Sequence, residues 1–193
     1  MDHDIFTVNN FALQSGIALP KAHLAYKTYG HLNESRDNVV VFPTWFCGRH
    51  TGNEWLIGEG RALAPREYFI VVPNLFGNGL SSSPSNTPAP FSGKDFPLVT
   101  THDNVVLQHR LLKERFGVQG IALAVGWSMG ALQAYEWASS HPGFVKRLTA
   151  LCGSAKTSRH NYVFLEGVKA ALTADAAFIG GEFSGPASTG CAP

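Results

Sequence analysis

The stretch AVGWSMGALQAYEWA, residues 124–138, limits the fold of this 193-residue chain more than any other part of it. An apolar run from Ile121 is interrupted by a serine between two glycines, and good helix formers take over from Met129. A strand that becomes a helix across one residue needs a sharp turn, and Gly126 and Gly130 leave room for it. Ser128 then carries its hydroxyl above the sheet edge. The amide of Met129, at the positive end of the new helix, faces the same space. Gly126-Trp127-Ser128-Met129-Gly130 therefore makes Ser128 a candidate nucleophile and the Met129 N–H a candidate oxyanion donor. The alternative is a tight turn in an unrelated doubly wound sheet.

The rest of the chain supplies the context this motif requires. Residues 38–46 (NVVVFPTWF) and 67–77 (EYFIVVPNLFG) are β-branched and aromatic runs closed by Pro or Gly, the mark of strands buried on both faces. Residues 100–117 place Val105, Leu112 and Phe116 near one helical face, after a Thr-Thr-His-Asp start and before Gly117. A strand over 120–127, a helix over 129–142, a strand over 145–155 and a helical segment over 161–178 follow. Their connections call for parallel pairing by right-handed crossovers, so the class is α/β with a mostly parallel sheet and flanking helices. The stretch 76–97 is rich in Pro, Gly and Ser, and a loop of that length is functional or disordered.

Composition excludes several function classes. With 45% hydrophobic and 15% charged residues the chain is a single soluble globular domain, and a net charge of +1 offers no field to gather nucleic acid. Apolar runs such as Ile121–Val125 fall far short of the ~20 residues a bilayer span requires, so no membrane partner is expected. The start, MDHDIFTVNNFALQSG, carries acids where a secretory signal carries bases. Cys47, Cys152 and Cys191 form no C-x-x-C pair and are odd in number, which points to a reducing compartment and a cytoplasmic location.

A second oxyanion amide should come from the loop after an earlier central strand. There the strand ends at Phe42, Pro43 interrupts the ladder, and the N–H of Trp45 or of Phe46 would face Ser128; Trp45 is preferred, and both rings have core packing as an alternative role. With these parts in place, GWSMGALQAYEWASSHPGFVKRL, FPLVTTHDNVVLQHRLLKERFGV, EYFIVVPNLFGNG and YKTYGHLNESRDNVVV together resemble the homoserine O-acetyltransferase group of α/β-hydrolase-fold proteins, from about Leu24 to about Phe178. The resemblance implies a serine acyltransferase or ester hydrolase forming an acyl-enzyme on Ser128. It also implies a small-molecule ester, or an alcohol with acyl-coenzyme A as co-substrate, and no bound cofactor or metal. PTWFCG and NGLSSSPSN depart from the acetyltransferases' usual segments, which favours the broader hydrolases of this group over homoserine as acceptor.

In that fold an acid and then a histidine follow the serine on later strands. Only 65 residues follow Ser128, and the last of them, IGGEFSGPASTGCAP, have no strand pattern. A βαβ unit takes ~30 residues or more, so the expectation is an incomplete domain over 1–178 lacking the C-terminal strands, with a disordered tail over 179–193. Substitutes are poor. His141 lies at the far end of the helix that Ser128 begins, and His160 has no acid before it, with Glu166 and Asp175 behind. His102 and His109 read as a solvated helix face rather than a metal pair, and His50, beside Arg49, as an exposed turn. Asp103 reads as a helix cap, Gln108 as a surface amide, Cys47 as a small buried side chain, and FGNGLS as an incomplete phosphate loop. The chain is thus either a serine acyltransferase or esterase, or a truncated product without base and acid. A third reading is a binding or self-associating module with an open sheet edge.

Overall fold

The computed structural model describes residues 2–183. Six strands form one sheet: β1 (Asp4–Ala12), β2 (Ala18–Tyr29), β3 (Val39–Val41), β4 (Phe69–Pro73), β5 (Leu123–Trp127) and β6 (Leu148–Leu151). Their order is β1-β2-β4-β3-β5-β6. The pairs β3/β4, β3/β5 and β5/β6 are parallel. Helices α1 (Thr101–Arg110), α2 (Met129–Ser140) and α3 (Arg159–Thr173) follow the strands as the alternation predicts, and α1 continues into a π turn over Leu111–Arg115.

Two antiparallel strands at the N-terminus were not anticipated. β1 pairs with β2, and β2 with β4. The alternation that announces a half-buried strand is broken in β1, where only Val8 and Phe11, three apart, are buried. The predicted strands also shorten. β3 spans three residues of the run 38–46, although Phe42 and Thr44 go on donating to the Val71 and Pro73 carbonyls, stepping over Pro43, which has no N–H.

Alternate residues of the central strands feed two cores, as a sheet covered on both faces requires. Val39, Val41, Phe69, Val71 and Ala124 pack with Leu107, Leu111 and Trp137 from the helices. Val40, Phe42, Ile70, Val72 and Val125 pack on the opposite face with Ile57 and Leu63. α1 starts on a capping box between Thr100 and Asp103, as expected of Asp103. Gln108, expected at the surface, is buried instead, because α2 lies against that face of α1. His102 and His109 part company: His102 Nδ1 lies 2.9 Å from Glu136, while the His109 ring stacks on His141 at 4.2 Å.

The long loop is ordered. Ser81, Ser82 and Ser83 are buried, and the hydroxyls of Ser81 and Ser82 accept from the amides of Ala25 and His23, which serves the part of β2 that extends beyond β4. At the other side β6 has a single strand neighbour among the described residues, β5. Beyond it α3 buries none of its residues and leaves Tyr162, Val163, Phe164 and Leu165 exposed. Residues 178–183, which join the end of the expected domain to the start of the expected tail, form a two-stranded hairpin of β7 (Phe178–Ile179) and β8 (Glu182–Phe183). The remainder of that tail, with Cys191, lies outside the described residues.

Close backbone approach explains three glycines at the β5–α2 junction. A Cβ on Gly126 would collide with the carbonyl of Gly130, and one on Gly153 would meet the Ala131 side chain and lie 2.7 Å from the Ser128 carbonyl. A Cβ on Gly130 would sit 2.6 Å from the carbonyl of Pro43, in the segment after β3. Gly130→Ala is expected to lower unfolding stability by about 1–3 kcal/mol through overpacking, measured by urea denaturation; a variant as stable as the wild type would contradict the close approach.

The His109 imidazole is held down to about 4, chiefly by desolvation and then by the charges of His141 and Lys113. The unfolded state therefore binds a proton that the folded state refuses between pH ~6.5 and ~4. Stability contributed by neutral His109 is present above that window and is lost as pH falls through it. His109→Phe is expected to show a shallower loss of stability between pH 6.5 and 4 than the wild type, read from denaturation midpoints at each pH.

Candidate functional site

Ser128 sits between β5 and α2 with φ 50° and ψ −118°, a region a side chain seldom adopts. Its N–H donates to the Leu151 carbonyl at 2.8 Å and its carbonyl accepts from Ala131 at 2.9 Å. These bonds tie the turn to β6 on one side and to the first turn of α2 on the other. A serine at a helix start ordinarily caps an orphan amide, but Ser128 makes no such side-chain bond. Among the described residues its hydroxyl has no hydrogen-bonding partner, and neither does the Met129 N–H, which as the first helical residue has none inside the helix.

The segment after β3 is pinned at Thr44. Its N–H donates to the Pro73 carbonyl at 3.2 Å, its Oγ1 accepts from Leu75 N–H at 3.2 Å, and its carbonyl accepts from Gln133 Nε2 at 3.0 Å. Asn53, from the 3-10 helix His50–Leu56, donates to the Phe42 carbonyl at 2.8 Å. Trp45 follows immediately, and its N–H donates to no group among the described residues. Its half-buried indole lies over Gly48 and Gly52, where a Cβ would come to 3.0 and 2.9 Å from the ring. Phe46 is one residue further on and exposed.

Trp45, Gly52, Trp55 and Trp127 line a cavity of about 430 Å³. Trp55 and Trp127 meet edge to face at 5.9 Å. Trp127 is the residue before Ser128, so the cavity opens beside the turn. Its walls are mostly apolar, suited to the uncharged part of a small molecule.

No imidazole stands at Ser128 among the described residues. His141 terminates α2 and stacks on His109, and His160 lies exposed in the first turn of α3. His50 corrects its expectation, for it is buried; the side chain of Asn74, at the end of β4, accepts from its N–H at 3.0 Å and anchors the ring. Cys47 also differs from expectation: it is exposed, at φ 60° in the turn after Trp45. FGNGLS leads into the serines that satisfy β2 rather than into a helix.

Asp2, His3 and His50 bring three possible ligand atoms within 4.8 Å of one another. The Asn74 amide decides what His50 can offer. Asn74 Oδ1 accepts from His50 N–H and from Asn78, and Nδ2 donates to the Ala25 carbonyl, so Nδ2 also faces His50 Nδ1 as a donor at 3.2 Å. The neutral ring then keeps its proton on Nε2, directed at the Asp2 carboxylate 3.2 Å away. The hydrogen bonds from His50 and then His3 hold the Asp2 carboxyl down to about 2. As arranged, His50 turns an N–H toward Asp2 rather than a free lone pair.

Asn74, Asn53 and Gln133, which hold the site together, were not singled out from sequence. A polar residue at the close of an apolar run, as in Val72-Pro73-Asn74, is the only local sign of such a role.

Comparison with known proteins agrees with this geometry. The family model described as alpha/beta hydrolase fold matches residues 38–180. Ethyl acetate hydrolase of Pseudomonas veronii is 44% identical over 179 residues, covering 92% of this chain and 51% of that protein. The homoserine O-acetyltransferase of Chlorobium chlorochromatii is 33% identical over 181 residues, 90% of this chain and 50% of that protein. The crystal structure of the acetyl esterase MekB superposes with a TM-score of 0.92 at 43% identity, over 94% of this chain and 53% of that one. The chain thus spans about half the length of the curated relatives it matches. Sheet order, the turn at Ser128 and these likenesses agree: the chain belongs to the alpha/beta-hydrolase-fold family.

Proposed function

We propose that this chain carries the nucleophilic half of a serine acyl-transfer site, acting on small uncharged esters. Ser128 Oγ attacks the ester carbonyl and gives up its proton to a base. The carbonyl oxygen becomes an oxyanion received by the N–H groups of Met129 and Trp45, with Phe46 as the alternative second donor. Collapse expels the alcohol, which takes a proton, and leaves an acyl-enzyme. Water then releases the acid, or an acceptor alcohol takes the acyl group; acyl-coenzyme A is the alternative donor.

One observation carries the reading: a serine that is not a glycine is held at φ 50°, with a hydroxyl that caps nothing. Strain of this kind persists only where the surroundings impose it. The aromatic cavity beside Trp127 and the likeness to an ethyl acetate hydrolase favour a small apolar ester over a charged acceptor.

The base is not among the described residues at Ser128, so added imidazole can stand in for it. With 4-nitrophenyl acetate, one equivalent of acyl group is expected on Ser128, faster as imidazole is raised and absent in Ser128→Ala, detected by intact mass. No sustained turnover is expected without a further histidine and acid. Acylation that persists in Ser128→Ala overturns the assignment.

A second reading rests on the open edge of β6 and the uncovered face of α3. Unpaired strand edges invite pairing with another chain. Self-association is expected to rise with concentration in sedimentation velocity and to weaken in Leu148→Lys; a monomer at all concentrations would sink it.

A further inference from the structure

We infer that a buried relay of side-chain hydrogen bonds positions and polarises the peptide that supplies the second oxyanion donor. The inference rests on the reading of Ser128 as nucleophile and Trp45 as donor. The relay begins at Trp137, whose Nε1–H donates to Gln108 Oε1 at 2.8 Å. Gln108 Nε2 donates to Gln133 Oε1 at 2.7 Å, and Gln133 Nε2 donates to the Thr44 carbonyl at 3.0 Å. Trp137, Gln108, Gln133 and Thr44 are all 0–1% exposed.

Every bond in this series runs the same way, from an indole that can only donate to a carbonyl that can only accept. Neither amide can be turned over without facing like groups, so the indole fixes the direction. Bonds aligned in this manner inside a protein strengthen one another. Gln108 and Gln133 stand where α1 packs on α2, at buried positions that leucine-like side chains could fill. A polar group buried there costs stability unless fully paired, and packing has no need of it. What the pair accomplishes lies at its far end.

The Thr44 carbonyl belongs to the same planar peptide as the Trp45 N–H. The bond is trans, the one cis peptide among the described residues being Ala89–Pro90. In a trans peptide the C=O and N–H point in opposite directions. Gln133 draws the carbonyl inward toward α2, so the N–H is turned the opposite way, away from α2, in the residue whose side chain lines the cavity with Trp127. Thr44 N–H and Oγ1 are anchored to Pro73 and Leu75, which fixes the residue that carries the carbonyl, and the Gln133 bond is what holds the Thr44–Trp45 peptide against flipping. A hydrogen bond received by the carbonyl also withdraws electron density from the nitrogen and makes the N–H a better donor. Gln133, Gln108 and Trp137 are therefore positioning residues, acting on the oxyanion through Trp45.

The test uses the whole chain and two readouts. In ¹⁵N-labelled protein, Gln133→Met is expected to move the Trp45 amide proton upfield and leave the Met129 amide in place; Trp137→Phe, which removes only the first donor, is expected to move Trp45 in the same direction by less. Imidazole-assisted acylation of Ser128 by 4-nitrophenyl acetate is expected to slow about tenfold in Gln133→Met, below the 10²–10³ seen when a donor is deleted outright, with the half-saturating ester concentration unchanged. Should Gln133→Met fail to fold, Trp137→Phe carries both measurements. A Trp45 resonance that stays put in a folded variant, or acylation within twofold of wild type, overturns the relay. If the wild type is never acylated at Ser128, the nucleophile reading falls, and the Trp45 resonance still decides the relay separately.

Discussion

The structure depends on one strained residue. Ser128 occupies a backbone region that costs of order 1–3 kcal/mol for a residue with a side chain, and the cost is met by everything that touches it. Its N–H is taken by β6 and its carbonyl by the first turn of α2, while three glycines let the backbones of β5, α2 and the segments after β3 and β6 approach within distances no Cβ would permit. Relaxing the turn would separate β5 from α2 and release the Pro43–Thr44 segment from the helix. The contacts that impose the strain are therefore the ones that bring the hydroxyl, the helix N-terminus and the second loop to one place.

Around that point the protein relies on buried amides rather than charges. Asn53, Asn74, Gln108 and Gln133 are all buried, and each binds a backbone group or another amide. An amide both donates and accepts, so it can fix the direction of a loop without the desolvation cost of an ion pair. The loops after β3 and β4 are held by these groups, which is how two irregular segments attain the order of the sheet beneath them. Placed among apolar walls, the same arrangement leaves the cavity at Trp45, Trp55 and Trp127 free of competing charge.

The two sides of the sheet differ in how fully their elements are satisfied. At the N-terminal side β1 and the serines of the long loop cover β2, and β1 is itself the other edge of the sheet. At the other side β6 keeps one partner among the described residues and α3 has no face buried. The relatives that this chain matches are about twice its length. An amphipathic helix without a packing partner contributes little stability, since most helical stability in proteins comes from burial of the apolar face.

The sequence by itself determined the local conversions: the strand-to-helix turn at Gly126–Gly130, the cap at Thr100–Asp103, and the doubly buried strands around Val39–Val41 and Phe69–Pro73. Each of these depends on residues adjacent in the chain, where steric and hydrogen-bonding preferences act at short range. The β1–β2 hairpin, the burial of Gln108 and His50 and the exposure of Cys47 were decided only in the tertiary structure. A glutamine on a helix reads as polar surface until another helix covers it, and the partner that satisfies it, Gln133, lies 25 residues away. Long-range pairing of polar groups leaves no periodicity for a sequence to display, because its energy depends on which surfaces meet and not on the spacing along either one.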